Sequence, residues 1–150
     1  MPSNLSRTTN HESRITRIID ANLNRATEGL RVVEEICRFI LEDAKLTLAV
    51  KQLRGRLSKV IKHELASRDS EGDVGREPYT KNEQNRAGLE NIFKANIKRA
   101  EEAVRCLEEF SKLLKPSYGK AFKALRFKIY DLEKELAPKV IKAIKLDFDL

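Results

Sequence analysis

The segment Asp20-Ala-Asn-Leu-Asn-Arg-Ala-Thr-Glu-Gly-Leu-Arg-Val-Val-Glu-Glu35 returns 74 residues later as Lys94-Ala-Asn-Ile-Lys-Arg-Ala-Glu-Glu-Ala-Val-Arg-Cys-Leu-Glu-Glu109. Between 20–40 and 94–114, eight of 21 positions are identical: Ala21/Ala95, Asn22/Asn96, Arg25/Arg99, Ala26/Ala100, Glu28/Glu102, Arg31/Arg105, Glu34/Glu108 and Glu35/Glu109. At an offset of 72 the likeness resumes with Ala49/Ala121, Lys51/Lys123, Leu53/Leu125 and Arg54/Arg126. Similarity through two successive segments marks an internal duplication. Apolar residues recur at helical spacing, so each copy reads as a helical hairpin. Two such hairpins pair most simply about a pseudo-two-fold axis. The expected fold is all-α, a four-helix bundle.

Working outward from the repeat, the first helix is expected over about 12–42, with Thr9 and Glu12 as a capping box. A turn at 43–45 leads to a second helix over about 46–66, with Leu46, Val50, Leu53, Leu57, Val60 and Ile61 on one stripe. Residues 67–80 hold Gly72, Gly75 and Pro78 and show no apolar period, so they read as a loop. A loop that long suggests function or disorder. Thr80 and Glu83 form a second capping box for a third helix over about 81–114. Pro116 and Ser117 break the chain, with Ser117 as the next cap. The fourth helix covers about 118–137, with Phe122, Leu125, Ile129, Leu132 and Leu136 inward. Pro138 ends it or starts a short fifth helix, in which Val140, Ile141 and Ile144 can pack on the bundle. One domain spans residues 1–150, with hairpins at about 12–66 and 81–137 and a C-terminal segment at 138–150; residues 1–10 read as a frayed end.

Composition agrees: 41% hydrophobic and 35% charged residues suit amphipathic helices, and aromatics are only 6%. The net charge of +7 points to an anionic partner without choosing between nucleic acid, a membrane surface and a phosphorylated small molecule. The basic residues are mixed with Glu along the helices, a pattern less like a nucleic-acid tail than like solvated faces plus a local anion site. Cys37 and Cys106 fall inside helices as core or flank residues. No signal peptide or apolar span is seen, so the expected location is the cytoplasm.

On a helical wheel, Ile15, Ile18, Ala26, Gly29, Val33, Ile36 and Ile40 form the apolar face of the first helix, with Asn22 at its centre and Arg25 at its edge. Glu28 and Glu35 lie further round, while Arg31 and Arg38 point away. The third helix repeats this, with Asn96 among Ile92, Ala100, Ala103, Leu107 and Phe110, Arg99 at the edge and Glu102 beyond. Buried Asn or Arg costs free energy unless partnered. Such groups can merely fix helix register. Here the set is large, occurs twice and borders small residues that permit close approach or a hollow, which favours a ligand site. Arginine forks suit phosphate or carboxylate, and Arg25, Arg99, Lys98, Arg54, Arg126, Arg68 and Arg76 are available. Glu28, Glu102 and Asp73 are candidates for Mg²⁺, which needs few carboxylates when phosphates supply other oxygens. No P-loop, zinc spacing or Glu-x-x-His pair exists, and His11 and His63 fit no di-iron site.

The chain resembles the small monofunctional hydroxymethylpyrimidine-phosphate kinases of thiamine biosynthesis, which occur alone or fused ahead of thiamine-phosphate synthase. The resemblance runs over about 15–137. It rests on Arg17-Ile-Ile-Asp20-Ala-Asn22-x-Asn24-Arg25-Ala26-x-Glu28-Gly29-Leu30-Arg31-Val32 and Arg38-Phe39, Arg68-Asp69, Asp73-Val74-Gly75, and Glu83 and Arg86. It continues through Ala95-Asn96, Arg99, Glu102-Ala103-x-Arg105, Leu107-Glu108-Glu109-Phe110 and Arg126-Phe127-x-x-Tyr130. Arg76 stands where that family has a small polar residue, usually Thr. No synthase segment follows Leu150, so the expectation is the standalone form. The resemblance implies transfer of phosphate from ATP, with Mg²⁺, to 4-amino-5-hydroxymethyl-2-methylpyrimidine phosphate. The acceptor phosphate is already nucleophilic, so positioning and charge neutralisation suffice. On this reading Arg25 and Arg99 are the catalytic candidates, and Asn22, Asn96, Arg31, Arg105, Arg68 and Gly75 bind substrate and phosphate. Asn22 and Asn96 would meet the aminopyrimidine edge, and loop 67–80 would act as a lid. The partners expected are the phosphorylated pyrimidine and ATP, not a membrane or nucleic acid; a homodimer is compatible.

The rival reading is a non-catalytic basic helical module that binds nucleic acid or a protein. It requires basic side chains gathered on one outer face and none converging inside. The scarcity of aromatics ranks it below the kinase.

Overall fold

The computed structural model describes residues 4–61 and 88–147, with side chains from residue 10 to residue 146. Its elements are α1 (Asn4–Glu35), a π-helical continuation (Ile36–Ile40), α2 (Ala44–Lys59), α3 (Leu89–Ser111) and α4 (Pro116–Asp147). Helices α1 and α2 form one hairpin, α3 and α4 the other. Helices α1 and α3 pack against each other at the centre, and α2 meets α4 more lightly. The duplication is therefore present as a four-helix bundle.

The two central helices cross closely. A Cβ on Gly29 would stand 2.7 Å from the backbone oxygen of Asn96 and 3.4 Å from the backbone nitrogen of Ala100. No side chain larger than hydrogen fits there without moving α3. Ala26 and Ala100, equivalent positions of the repeat, are both fully buried beside this crossing.

The buried faces of α1 and α3 are wider than the wheel predicted. Ile19 and Leu30 join the core of α1, Cys37 that of its π-helical continuation, and Phe93, Ile97 and Val104 that of α3. Ile18, Ile92 and Phe110 are only half-buried. Each central helix packs on its hairpin partner and on the other central helix, so it buries two flanks where a single amphipathic stripe accounts for one. The outer helices behave as expected: Leu46, Val50, Leu53 and Leu57 of α2, and Phe122, Leu125, Ile129, Leu132 and Leu136 of α4, are buried.

Several boundaries move. Helix α1 begins at Asn4, so position 9 lies inside it and no helix starts at 12. Asp43 is the N-cap of α2; its carboxylate accepts from the Leu46 amide at 2.9 Å, so residues 43–45 are a cap and first turn. Pro116 opens α4, the position where a missing N–H costs nothing. Pro138 does not end α4, and the expected fifth helix is its continuation. Burial of Val140 and Ala143 offsets the lost backbone bond, while Ile141 points outward. Helix α2 ends at Lys59, short of the expected 66, and α3 starts at Leu89 after Gly88 with its φ of 83°, not at 81; loop 67–80 and the Thr80/Glu83 box lie outside the described residues.

The change of repeat offset from 74 to 72 has a structural counterpart. The first hairpin's connection is two residues longer. The Leu41 amide donates to the Ile36 oxygen, five residues back, at 3.0 Å. This π turn winds one additional residue into the helix. Glu42 then takes a left-handed φ of 50°, unusual for a residue with a Cβ.

Candidate functional site at the crossing of the repeats

The candidate site is assembled from equivalent residues on α1 and α3. Asn22 and Asn96 are both buried in the bundle. Each donates from its amide nitrogen to its own helix, Asn22 to the Ile18 oxygen at 2.9 Å and Asn96 to the Ile92 oxygen at 2.8 Å. Asn22 Oδ1 also accepts from Arg25 Nη1 at 3.4 Å, a long contact. Arg99 turns instead toward the other repeat, its Nη2 standing 3.5 Å from Glu28 Oε2. Arg25 and Glu28 lie one helical turn apart on α1, so Arg25, Glu28 and Arg99 share the crossing. Glu28 is exposed at 67% and Arg99 at 40%, which leaves both reachable from solvent. Glu102 is exposed one turn beyond Arg99 on α3.

The other sequence candidates are placed differently. Arg31 contacts Glu35 at 3.3 Å and Glu34 at 3.9 Å on the surface of α1. Arg105 contacts Glu109 at 3.4 Å on α3. Both therefore sit in ion pairs within their own helix. Arg68, Asp73, Gly75 and Arg76 lie outside the described residues. Among the described residues no group of three or more His, Cys, Asp or Glu gathers at metal-ligand spacing.

Two arginines offered as anion ligands are already engaged. Arg54 Nη2 lies 2.9 Å from Glu34 Oε1, and Arg126 Nε lies 2.9 Å from Glu108 Oε2. The two pairs are equivalent under the repeat and each ties the helices of one hairpin together. The sequence analysis missed them, although the signal is present as an identical Glu on one helix and an identical Arg on the next in both copies. Their surroundings have diverged. Arg126 also donates to the Tyr130 hydroxyl at 3.1 Å and lies over the Phe127 and Tyr130 rings. The equivalents of Phe127 and Tyr130 beside Arg54 are Gly55 and Ser58.

Lys98 is engaged as well. Its ammonium lies 3.2 Å from Glu101 and 3.5 Å from Glu133 on α4. Glu101 is buried, and its Oε1 has no hydrogen-bond partner. Burial first, then the neighbouring Glu133 carboxylate, pushes its pKa up from 4.5 to about 7, against the opposing pull of Lys98. The repeat equivalents, Thr27 and Ile61, cannot form this cluster.

Chemically, the crossing offers guanidinium donors to an anion, a nearby carboxylate and two amides fixed by the backbone. Cys37 is not poised as a nucleophile: it is buried, and that burial, reinforced by Asp43 and Glu34, pushes its pKa up to about 11.

Comparison with known proteins adds a lineage. Over 123 residues the chain is 49% identical to a thiamine-phosphate synthase of Nostoc punctiforme, covering 81% of this chain and 35% of that protein. It is 47% identical over 123 residues to a thiamine-phosphate synthase of Synechocystis, covering 81% of this chain and 36% of the relative. A thiamine-phosphate synthase of Rhodopirellula baltica is 41% identical over 138 residues, with 88% and 37% covered. The chain thus spans about a third of the length of these curated relatives. No solved structure matches. The description of the ThiD2 family fits residues 17–135, most of both hairpins, and on that match the chain belongs to the ThiD2 family.

Proposed function

We propose that this chain acts in thiamine biosynthesis by transferring the γ-phosphoryl group of ATP to 4-amino-5-hydroxymethyl-2-methylpyrimidine phosphate. The observation that carries the reading is the contact of Arg99 with Glu28, which joins the two copies of the motif into one accessible polar surface. Membership of the ThiD2 family and the naming of relatives for thiamine-phosphate synthase support the pathway. The chemistry suits the residues. A phosphate monoester is ionised near neutrality and attacks without a general base, so the protein must position two anions and neutralise their charge. Arg25 and Arg99 supply charge; Mg²⁺ would be held largely by phosphate oxygens, with Glu28 or Glu102 the carboxylates nearest the crossing and Asp73 a further candidate. Asn22 and Asn96 keep one amide hydrogen each for a pyrimidine edge.

The test is ADP release coupled to the pyrimidine monophosphate, with ATP and Mg²⁺, run beside a thiamine-phosphate synthase assay. Turnover in the first assay is expected. Arg25→Ala and Arg99→Ala should each lower kcat/KM by about 10²-fold or more, the scale of a lost transition-state donor, with melting temperature nearly unchanged. Absence of ADP release, or activity confined to the synthase assay, overturns the kinase reading.

A further inference from the structure

The chain's positive charge is not spread evenly over the bundle. Helix α2 holds five basic and no acidic residues, and α4 eight basic and four acidic. Together they carry +9, more than the +7 of the whole chain. By contrast α1 is balanced, with five of each, and α3 has four basic against five acidic residues.

Pairing divides in part the same way: among the described residues, the basic side chains of α2 and α4 that meet a carboxylate are Arg54, Arg126 and Lys139. On α1 and α3, Arg31, Lys94, Lys98, Arg99 and Arg105 each face a carboxylate. On α2 and α4, Lys51, Arg56, Lys123, Lys128, Lys134 and Lys142 are exposed and make no ion pair among the described residues. At about 100° per residue the seven lysines of α4 fall within roughly 160° of arc, opposite the buried Phe122, Ile129 and Leu136. Arg56 and Lys128 are equivalent under the repeat and line the same 290 Å³ groove between α2 and α4, so the pseudo-axis brings like charges together.

We propose that the outer face of α2 and α4 binds double-stranded nucleic acid through its phosphate backbone, without reading sequence. The inference is independent of the kinase assignment, because this face is built from the second helix of each hairpin and the crossing from the first. Ten of the thirteen basic residues on the two helices are lysines. Protein interfaces are depleted in lysine, whereas a point charge on a flexible stem serves phosphate contact well. Helix α4, with 32 residues, extends about 48 Å at 1.5 Å per residue, longer than one turn of duplex. Asp131 and Glu135 also line the groove, so phosphates would follow the lysine rows beside it and not its floor.

The test is fluorescence anisotropy of a mixed-sequence 20-base-pair duplex titrated with the full chain at 50 and 200 mM salt. The wild type should bind at 50 mM and weaken steeply with salt. A quadruple variant, Lys51→Gln, Arg56→Gln, Lys123→Gln and Lys128→Gln, should bind at least tenfold more weakly at 50 mM. Its log–log salt slope should fall by up to about 3–4, near 0.9 for each phosphate contact removed. A control on α3, Lys94→Gln with Arg105→Gln, should stay within twofold of wild type; circular dichroism of all variants checks the fold. Failure of the wild type to bind duplex, or an unaltered slope in the folded quadruple variant, overturns the proposal. So does tighter binding, at equal salt, to vesicles containing phosphatidylserine or to poly-L-glutamate, which would assign the face to a membrane or an acidic protein.

Discussion

Replacing Gly29 with Ala tests the central crossing most directly. The new methyl carbon would lie 2.7 Å from the Asn96 oxygen, about 0.7 Å inside the 3.4 Å of ordinary contact. The obstacle is backbone, so a rotamer change cannot relieve it; α3 must move from α1. Overpacking of this kind costs about 1–3 kcal/mol. The same substitution favours the helix by about 1 kcal/mol through backbone entropy and propensity. The two effects oppose one another, which makes a single measurement ambiguous. Gly55, within α2, resolves this because a Cβ there meets nothing within 4 Å. Gly55→Ala should therefore show the propensity gain alone and stabilise by about 0.5–1 kcal/mol. The difference between the two variants isolates the clash, about 1–3 kcal/mol, or a few degrees in melting temperature for each kcal/mol. Urea unfolding of both, with equal m values, measures it. If Gly29→Ala is as stable as Gly55→Ala, the helices are not in the contact described and the account of the crossing is wrong.

Glu108→Ala should cost about 3 kcal/mol in urea unfolding, because Arg126 is left largely buried and unpaired, whereas Glu109→Ala, at an exposed pair, should cost under about 0.5. Glu101 predicts a pH effect of definite sign: its carboxyl is raised to about 7 in the fold from 4.5, so its favourable share is complete below pH 4.5, declines between 4.5 and 7, and is gone above. Glu101→Gln should flatten stability across that window, by up to about 1.4 kcal/mol per pH unit, and an unchanged pH profile would remove Glu101 as its source. With a thiol reagent at pH 8, half-buried Cys106 should react in the native protein and Cys37 only after denaturant is added; early labelling of Cys37, mapped by peptide mass, would contradict its burial.

Among the described residues, the four helices, their hairpin pairing and the duplication were legible because each depends on local periodicity and on repetition, both properties of sequence alone. The buried positions Asn22 and Asn96 were legible for the same reason. The width of the central faces was not. Ile19 and Phe93 enter the core because α1 and α3 each have two neighbours, and a wheel drawn for one helix contains no second neighbour. Pro138 misled because the rule is local, while the burial of Val140 and Ala143 that sustains the helix is tertiary. The Glu34–Arg54 and Glu108–Arg126 pairs were hidden by treating every arginine as available for an anion. The separation of charge between inner and outer helices escaped because net charge was weighed over the chain, not by helix. Arg68, Asp73 and Gly75 fall outside the described residues, so that part of the expected site stands on sequence alone.

The two-flanked burial of α1 and α3 also bears on descent. A solitary hairpin of the first type would cover one side of its leading helix and leave the other, with Ala26, Leu30 and Val33, in water. A hairpin of this kind on its own would need a twin, and such a symmetric pair would have a stability that rises and falls with its own concentration. Joining two copies in one chain made that association intramolecular. Once partners no longer had to be identical, each side of the crossing could change alone. Gly29 now faces α3 where its equivalent is Ala103, and Glu101 stands where the first copy keeps Thr27. Tethering thus releases a surface that symmetry would hold fixed, so that the two copies of one motif are free to differ.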